Sequence, residues 1–354
     1  MQEDKNILLD KLTKCFSYWG DWGSFLYSPY FLSISKNKKT NKFIIMVNLK
    51  NKNLISITDY TKEDYLAVLD LAEKFEKNPN QPVLSDKVVG SLFFEPSTRT
   101  RLSFETAANR LGARVIGFSN PTATSLQKGE SLHDTIMMVS SYADIIVMRH
   151  PRDGASRWAS EVSPVPVINA GDGANQHPTQ CMLDLYSIRK TQGTLENLQI
   201  AMVGDLKYGR TVHSLVQAMS NFKAEFHFVS PESLAMPDNV KMYATNAGLK
   251  YHEYRKLEDV IPFADIIYMT RIQKERFPDV LEYEKVKNSY ILDASVLEGC
   301  KENMKVLHPL PRVNEIAMDV DKTKYAYYFQ QAKNGMFVRQ ALIASILGYA
   351  DKIK

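Results

Sequence analysis

The run Val88-Val89-Gly90-Ser91-Leu92-Phe93-Phe94 gives way at once to Glu95-Pro96-Ser97-Thr98-Arg99-Thr100-Arg101. A run rich in β-branched and aromatic residues predicts a buried strand, and Pro96 stops it. Leu102, Phe104, Ala107, Ala108 and Leu111 then recur at helical spacing as far as Gly112, so a helix is expected next. The hydroxyl and guanidinium groups therefore fall at a strand-to-helix junction. Orphan N–H groups and the positive end of the helix dipole favour an anion there before any side chain is counted. Ser97, Thr98 and Thr100 add donors, and Arg99 adds a planar fork matched to phosphate oxygens. The same residue types also suit an ordinary helix cap followed by a solvated arginine pair.

A chain of 354 residues exceeds what one core usually serves, so two domains are expected. The net charge of +4 is small, and no Lys/Arg stripe is interleaved with aromatics, so a nucleic-acid partner is not indicated. Cys15, Cys181 and Cys300 lie far apart without ligand-like spacing; they argue for a reducing compartment and against a disulfide framework or structural zinc. No apolar run approaches the ~20 residues of a membrane span. Residues 1–45 form an extension without an assigned role. Their aromatic patch from Trp19 to Leu32 precedes the lysine-rich stretch from Lys36 to Lys42, the reverse of a secretory signal. A poorly ordered tail or an extra surface helix is expected there, with a remnant of a targeting segment as the alternative.

Downstream, strand, polar loop and helix alternate. Thr61 caps a helix expected to reach Lys77. Ser125-Leu126-Gln127-Lys128-Gly129 is a loop that leads into another helix. Asp144 to Met148 predicts a strand that places Arg149 at its C-terminal end, where an open α/β sheet meets its ligand crevice. Val165 to Gly171 leads through Asp172 to His177 into a helix from Pro178 to about Lys190, and a fresh α/β pattern begins soon after. Leu198 to Val203 ends in a loop from Gly204 to Arg210. The second and third glycines of a dinucleotide fingerprint are missing, which excludes a nicotinamide cofactor. Asp265 to Met269 ends in Thr270-Arg271-Ile272-Gln273-Lys274-Glu275-Arg276, and Val306-Leu307 in His308-Pro309-Leu310-Pro311-Arg312. Taken singly, an arginine or histidine at such a place also suits an exposed turn or a satisfied structural group.

The order Ser-Thr-Arg-Thr-Arg after a strand resembles the carbamoyl-phosphate loop of the aspartate and ornithine carbamoyltransferases, and the similarity runs from about Val47 to the C-terminus. Asn175-Gln176-His177-Pro178-Thr179-Gln180 resembles a second motif of that family. The segment from Thr270 to Arg276 resembles its aspartate-binding pattern rather than the Ser-Met-Gly type loop of the ornithine enzymes, which also usually show His-Cys-Leu-Pro where His308-Pro309-Leu310-Pro311 stands here. Some members carry two lysines before the glycine of the 125–129 loop; this chain has only Lys128.

The resemblance implies an α/β fold of two doubly wound, Rossmann-like parallel-sheet domains with the active site between them. Residues 46–190 would bind carbamoyl phosphate and 191–330 aspartate, and 331–354 would form a helix crossing back to the first domain. It implies carbamoyl transfer to L-aspartate, an early step of pyrimidine synthesis, without metal, cofactor or covalent intermediate. Ser97, Thr98, Arg99, Thr100, Ser125 and Lys128 would hold the phosphate. Thr100, Arg149 and His177 would polarise the carbamoyl oxygen, while Gln180 and the backbone oxygens of Pro309 and Leu310 would bind the carbamoyl nitrogen. Lys128, Arg210, Arg271 and Gln273 would hold aspartate, and Glu95 would serve domain closure with Arg210 and Arg276 rather than act as a base. It further implies a cytoplasmic homotrimer whose active sites are shared between adjacent subunits, with no nucleic-acid or membrane partner; no stretch decides for or against a regulatory subunit. The alternatives are a carbamoyltransferase for ornithine or a related amine, against which the cationic Arg271 weighs, and a non-catalytic assembly partner, against which the intact motifs weigh.

Overall fold

The computed structural model describes residues 33–36, 43–46, 48–274, 277 and 279–354. Strands β1 (Ser33–Lys36) and β2 (Phe43–Met46) pair antiparallel, with Ser33 opposite Met46, and belong to a unit that closes at Asn48. At the seven of these positions that fall within residues 1–45, strand stands in place of the expected surface helix or unformed tail, and Ile34 and the run Phe43-Ile44-Ile45 supply β-favouring residues. The aromatic patch from Trp19 to Leu32 lies outside the described residues.

Leu49–Lys354 form the second unit, which holds two parallel sheets. The first contains β3 (Val88–Phe93), β4 (Arg114–Phe118), β5 (Ile145–His150) and β6 (Val167–Asp172), in the order β4-β3-β5-β6. The second contains β7 (Gln199–Val203), β8 (Glu225–Val229), β9 (Tyr251–Tyr254), β10 (Ile266–Met269) and β11 (Lys305–Leu307), in the order β11-β10-β7-β8-β9. The inner strand β10 is buried along its whole length, which is why it reads as a continuous apolar run rather than an alternating one.

In the first half the helices are α1 (Lys62–Lys77), α2 (Arg99–Arg110), α3 (Leu132–Ser140), α4 (Ala155–Val162) and α5 (Pro178–Gln192). Thr61 and Asp64 form a reciprocal capping box at the start of α1, as their spacing suggested. The second half adds α6 (Arg210–Met219), α7 (Asp238–Asn246), α8 (Val280–Val286) and α9 (Tyr328–Ile346). The last helix packs against α1, α2 and α5, so the chain does return to the first sheet. Among the described residues no helix is long and apolar enough to cross a membrane.

One apolar assignment was wrong. Leu102 is 47% exposed while Phe104, Ala107 and Ala108 are buried. Two positions on a helix stand about 200° apart, so Leu102 cannot share the face that Phe104 buries.

Candidate functional site

In a parallel sheet all carboxyl ends lie on one edge, and here the two sheets turn those edges toward each other. The loops after β3, β5, β6, β7, β10 and β11 line one cleft of about 550 Å³. Glu95 and Ser97 to Thr100 come from the end of β3, Arg149 from β5, and His177 with Gln180 from the β6–α5 loop. From the other side come Arg210 after β7, Arg271 and Gln273 after β10, and Pro309 and Leu310 after β11. Ser125 and Lys128 are not in the lining; both are exposed on a 3₁₀ turn (Ser125–Lys128). Arg276 lies outside the described residues.

The β3–α2 junction is not built as an ordinary cap. Thr98 occupies the N-cap with helical angles (φ −85°, ψ −64°), and its hydroxyl makes no capping hydrogen bond. The first N–H groups of α2 thus keep their demand for an acceptor at the cleft wall. Among the described residues five arginines line the cleft, Arg99, Arg149, Arg210, Arg271 and Arg339, against one carboxylate, Glu95. Partial burial and the neighbouring guanidinium of Arg149 both push the Arg99 pKa down.

Glu95 accepts a hydrogen bond at Oε1 from Arg149 Nε at 2.6 Å and forms a longer ion pair with Arg210, one of its two expected partners, at 4.0 Å. Strand register explains the preference: Phe93 pairs with Arg149 across β3 and β5, so the residues at those two strand ends are neighbours from the outset. Arg210 also reaches across the cleft and donates through Nη1 to the backbone oxygen of Gly173. Gly171, with φ +120°, makes room, since a Cβ there would stand 3.1 Å from the Arg210 guanidinium.

His177 is buried at the start of α5, and its Nδ1 has no hydrogen-bond partner among the described residues. Burial, then Arg210, Arg149 and Arg339, hold its pKa well below the usual histidine range, so the imidazole is neutral at physiological pH. His308 is fixed differently. Leu310 N–H donates to its Nδ1 at 2.7 Å, which leaves the proton on Nε2, 2.7 Å from Glu315 Oε1. Glu315 Oε2 in turn accepts the N–H groups of Val313 and Asn314, each at 3.1 Å. These bonds hold a turn in which Leu310 takes the left-handed conformation, φ +56°.

Sequence reasoning missed four residues. Arg339 on α9 lines the cleft, lies 5.0 Å above the Phe104 ring, and has no partner for Nε among the described residues. Behind the wall, Asp184 on α5 accepts hydrogen bonds from Gln180, Gln331 and Tyr268. The available signal was a charge set among the apolar residues of each of two helices buried along most of their length, because a buried charge needs partners.

Burial raises the pKa of Asp184 to about 7. The folded state therefore binds this proton more tightly than the unfolded one, and stability falls as the pH rises from about 4 to about 7. Asp184→Asn is expected to remove that slope. Urea unfolding of both proteins across this range checks it, and parallel pH curves would refute the shift.

Two family models match the chain: the carbamoyl-phosphate-binding domain of aspartate/ornithine carbamoyltransferase over residues 52–190, and the Asp/Orn-binding domain over 196–346. The aspartate carbamoyltransferase catalytic subunit of Bacteroides fragilis is 64% identical over 301 residues, 85% of this chain and 98% of that protein. The one from Chromobacterium violaceum is 57% identical over 296 residues, 84% and 98%. Among solved structures, the aspartate transcarbamoylase of Trypanosoma cruzi with N-(phosphonacetyl)-L-aspartic acid superposes with a TM-score of 0.80 at 38% identity, covering 85% of this chain and 97% of that one. The catalytic subunit of the M. jannaschii enzyme gives 0.78 at 50% identity, covering 86% and 100%.

Proposed function

The chain belongs to the aspartate/ornithine carbamoyltransferase family, and from that premise we propose that it transfers the carbamoyl group of carbamoyl phosphate to the amino group of L-aspartate, giving N-carbamoyl-L-aspartate and phosphate. The observation that carries the choice of substrates is the convergence of arginines from both sheets on one cleft where Glu95 is the single carboxylate among the described residues. A phosphate ester and a dicarboxylic acid together need that excess of positive charge. The cationic side chain of ornithine would be repelled by Arg271.

The junction residues Ser97, Thr98, Arg99 and Thr100 hold the phosphate, with Arg99 as the bidentate partner. Thr100, Arg149 and neutral His177 polarise the carbamoyl oxygen; a neutral imidazole donates one N–H without adding charge beside three arginines. The uncharged amine attacks the carbamoyl carbon, negative charge grows on that oxygen, and the carbon–oxygen bond to phosphate breaks with its electron pair on the phosphate as the nitrogen loses a proton. Fixed donors aimed at this charge, rather than a covalent intermediate, lower the barrier. Arg210, Arg271 and Gln273 hold the aspartate carboxylates.

Ser125 and Lys128 are exposed on their own chain and absent from its cleft, which supports a homotrimer in which each supplies a neighbour's site, Lys128 touching both phosphate and aspartate. We place the reaction early in pyrimidine synthesis, in the cytoplasm, where free thiols such as buried Cys181 persist.

The test is to incubate purified protein with carbamoyl phosphate and either aspartate or ornithine. Carbamoyl-aspartate alone is expected; citrulline would overturn the assignment of Arg271.

A further inference from the structure

The buried carboxyl of Asp184 stands behind the cleft wall and has no part in the roles above. Its Oδ1 accepts from Gln180 Nε2 at 2.9 Å and from Gln331 Nε2 at 2.6 Å, while the Tyr268 hydroxyl lies 2.8 Å from Oδ2. An amide has a donor end and an acceptor end. Because Oδ1 can only accept in these bonds, each glutamine turns its NH₂ toward Asp184 and its oxygen away. For Gln331 the consequence is visible: Oε1 accepts the N–H of His308 at 2.8 Å, at the root of the turn that presents Pro309 and Leu310 to the cleft. For Gln180, which lines the cleft, the oxygen is the end left for a ligand. Tyr268 can donate or accept, so Oδ1 keeps its role whether or not Asp184 carries a proton.

We propose that Asp184 is the positioning residue for donor specificity: by orienting the Gln180 and Gln331 amides it gives the cleft an acceptor set, the Gln180 oxygen with the carbonyls of Pro309 and Leu310, that selects a carbamoyl NH₂ over a methyl group. The inference rests on the carbamoyl phosphate reading. An acyl phosphate with a methyl in that place leaves all three oxygens unpaired, and unpaired buried acceptors are costly.

The probe is acetyl phosphate. In Asp184→Ala both amides lose their orienting acceptor, so the KM for carbamoyl phosphate at saturating aspartate is expected to rise about tenfold or more, while the inhibition constant of acetyl phosphate stays within about twofold. Asp184→Leu gives the same reading if the alanine variant does not fold. Asp184→Asn keeps an acceptor oxygen toward both glutamines and is expected to retain the wild-type ratio of the two constants. A purely structural role would move both constants together. An unchanged ratio in Asp184→Ala and Asp184→Leu, or an equal loss in Asp184→Asn, overturns the inference, whereas a wild-type protein that makes no carbamoyl-aspartate overturns the function instead.

Discussion

Arg99→Ala is expected to lower kcat on the order of 10³-fold or more while leaving the fold intact. The guanidinium opens α2 at the cleft wall, where the helix dipole and the first N–H groups already favour an anion. During transfer, charge builds on the departing phosphate, and a bidentate charge-assisted pair strengthens as it does; removing one such donor typically costs ~10²–10³ in rate, and arginines on transferring phosphoryl groups more. A simple loss of stability can be told apart from this. Arg99 stands near Arg149, and burial and repulsion both push its pKa down, so its removal relieves unfavourable charge in the unliganded protein. The melting temperature should therefore stay level or rise while activity collapses. Arg99→Lys, which keeps the charge but not the planar fork, should recover only part of the rate. Steady-state kinetics and thermal unfolding on the same preparations decide it: near-normal turnover would remove Arg99 from the phosphate site, and a parallel fall in melting temperature would mean that the loss is one of folding.

What could be read beforehand was whatever one short segment writes by itself. Strand, breaking proline, polar loop and helix follow one another within 88–110, so the residues that this junction brings to the cleft were legible. The same held for His177, Arg210 and Arg271, each in the polar stretch that follows a strand. The failures come from geometry between segments. The bond from Arg149 to Glu95 could not be read from either segment alone, because it is the register of β3 on β5 that makes them neighbours. Asp184 and Gln331 are joined across 147 positions, and nothing local to either announces the other. Arg339 reaches the cleft only because α9 returns to the first sheet, at a sequence distance that hides it from any motif. Leu102 was placed by counting apolar residues without asking which face each one occupies.

Lys128→Ala and Arg271→Ala proteins, each nearly inactive alone, are expected to regain activity when mixed, dissociated and reassembled. The argument is one of reach. Within one chain Arg271 lines the cleft while Lys128 is exposed on the Ser125–Lys128 turn and does not. If the neighbouring subunit supplies Lys128, a site is intact whenever its own chain carries Arg271 and its neighbour carries Lys128. Random reassembly of equal amounts into a closed ring restores roughly one site in four, so activity should return to about a quarter of wild type. Sites contained in a single chain would leave every mixed assembly carrying one lesion per site, with no recovery at any ratio. A titration of the two variants against each other, with the mixed trimers verified by mass, separates these outcomes: recovery that peaks near equal amounts supports the shared site, and a flat line would mean that each site is contained in one chain.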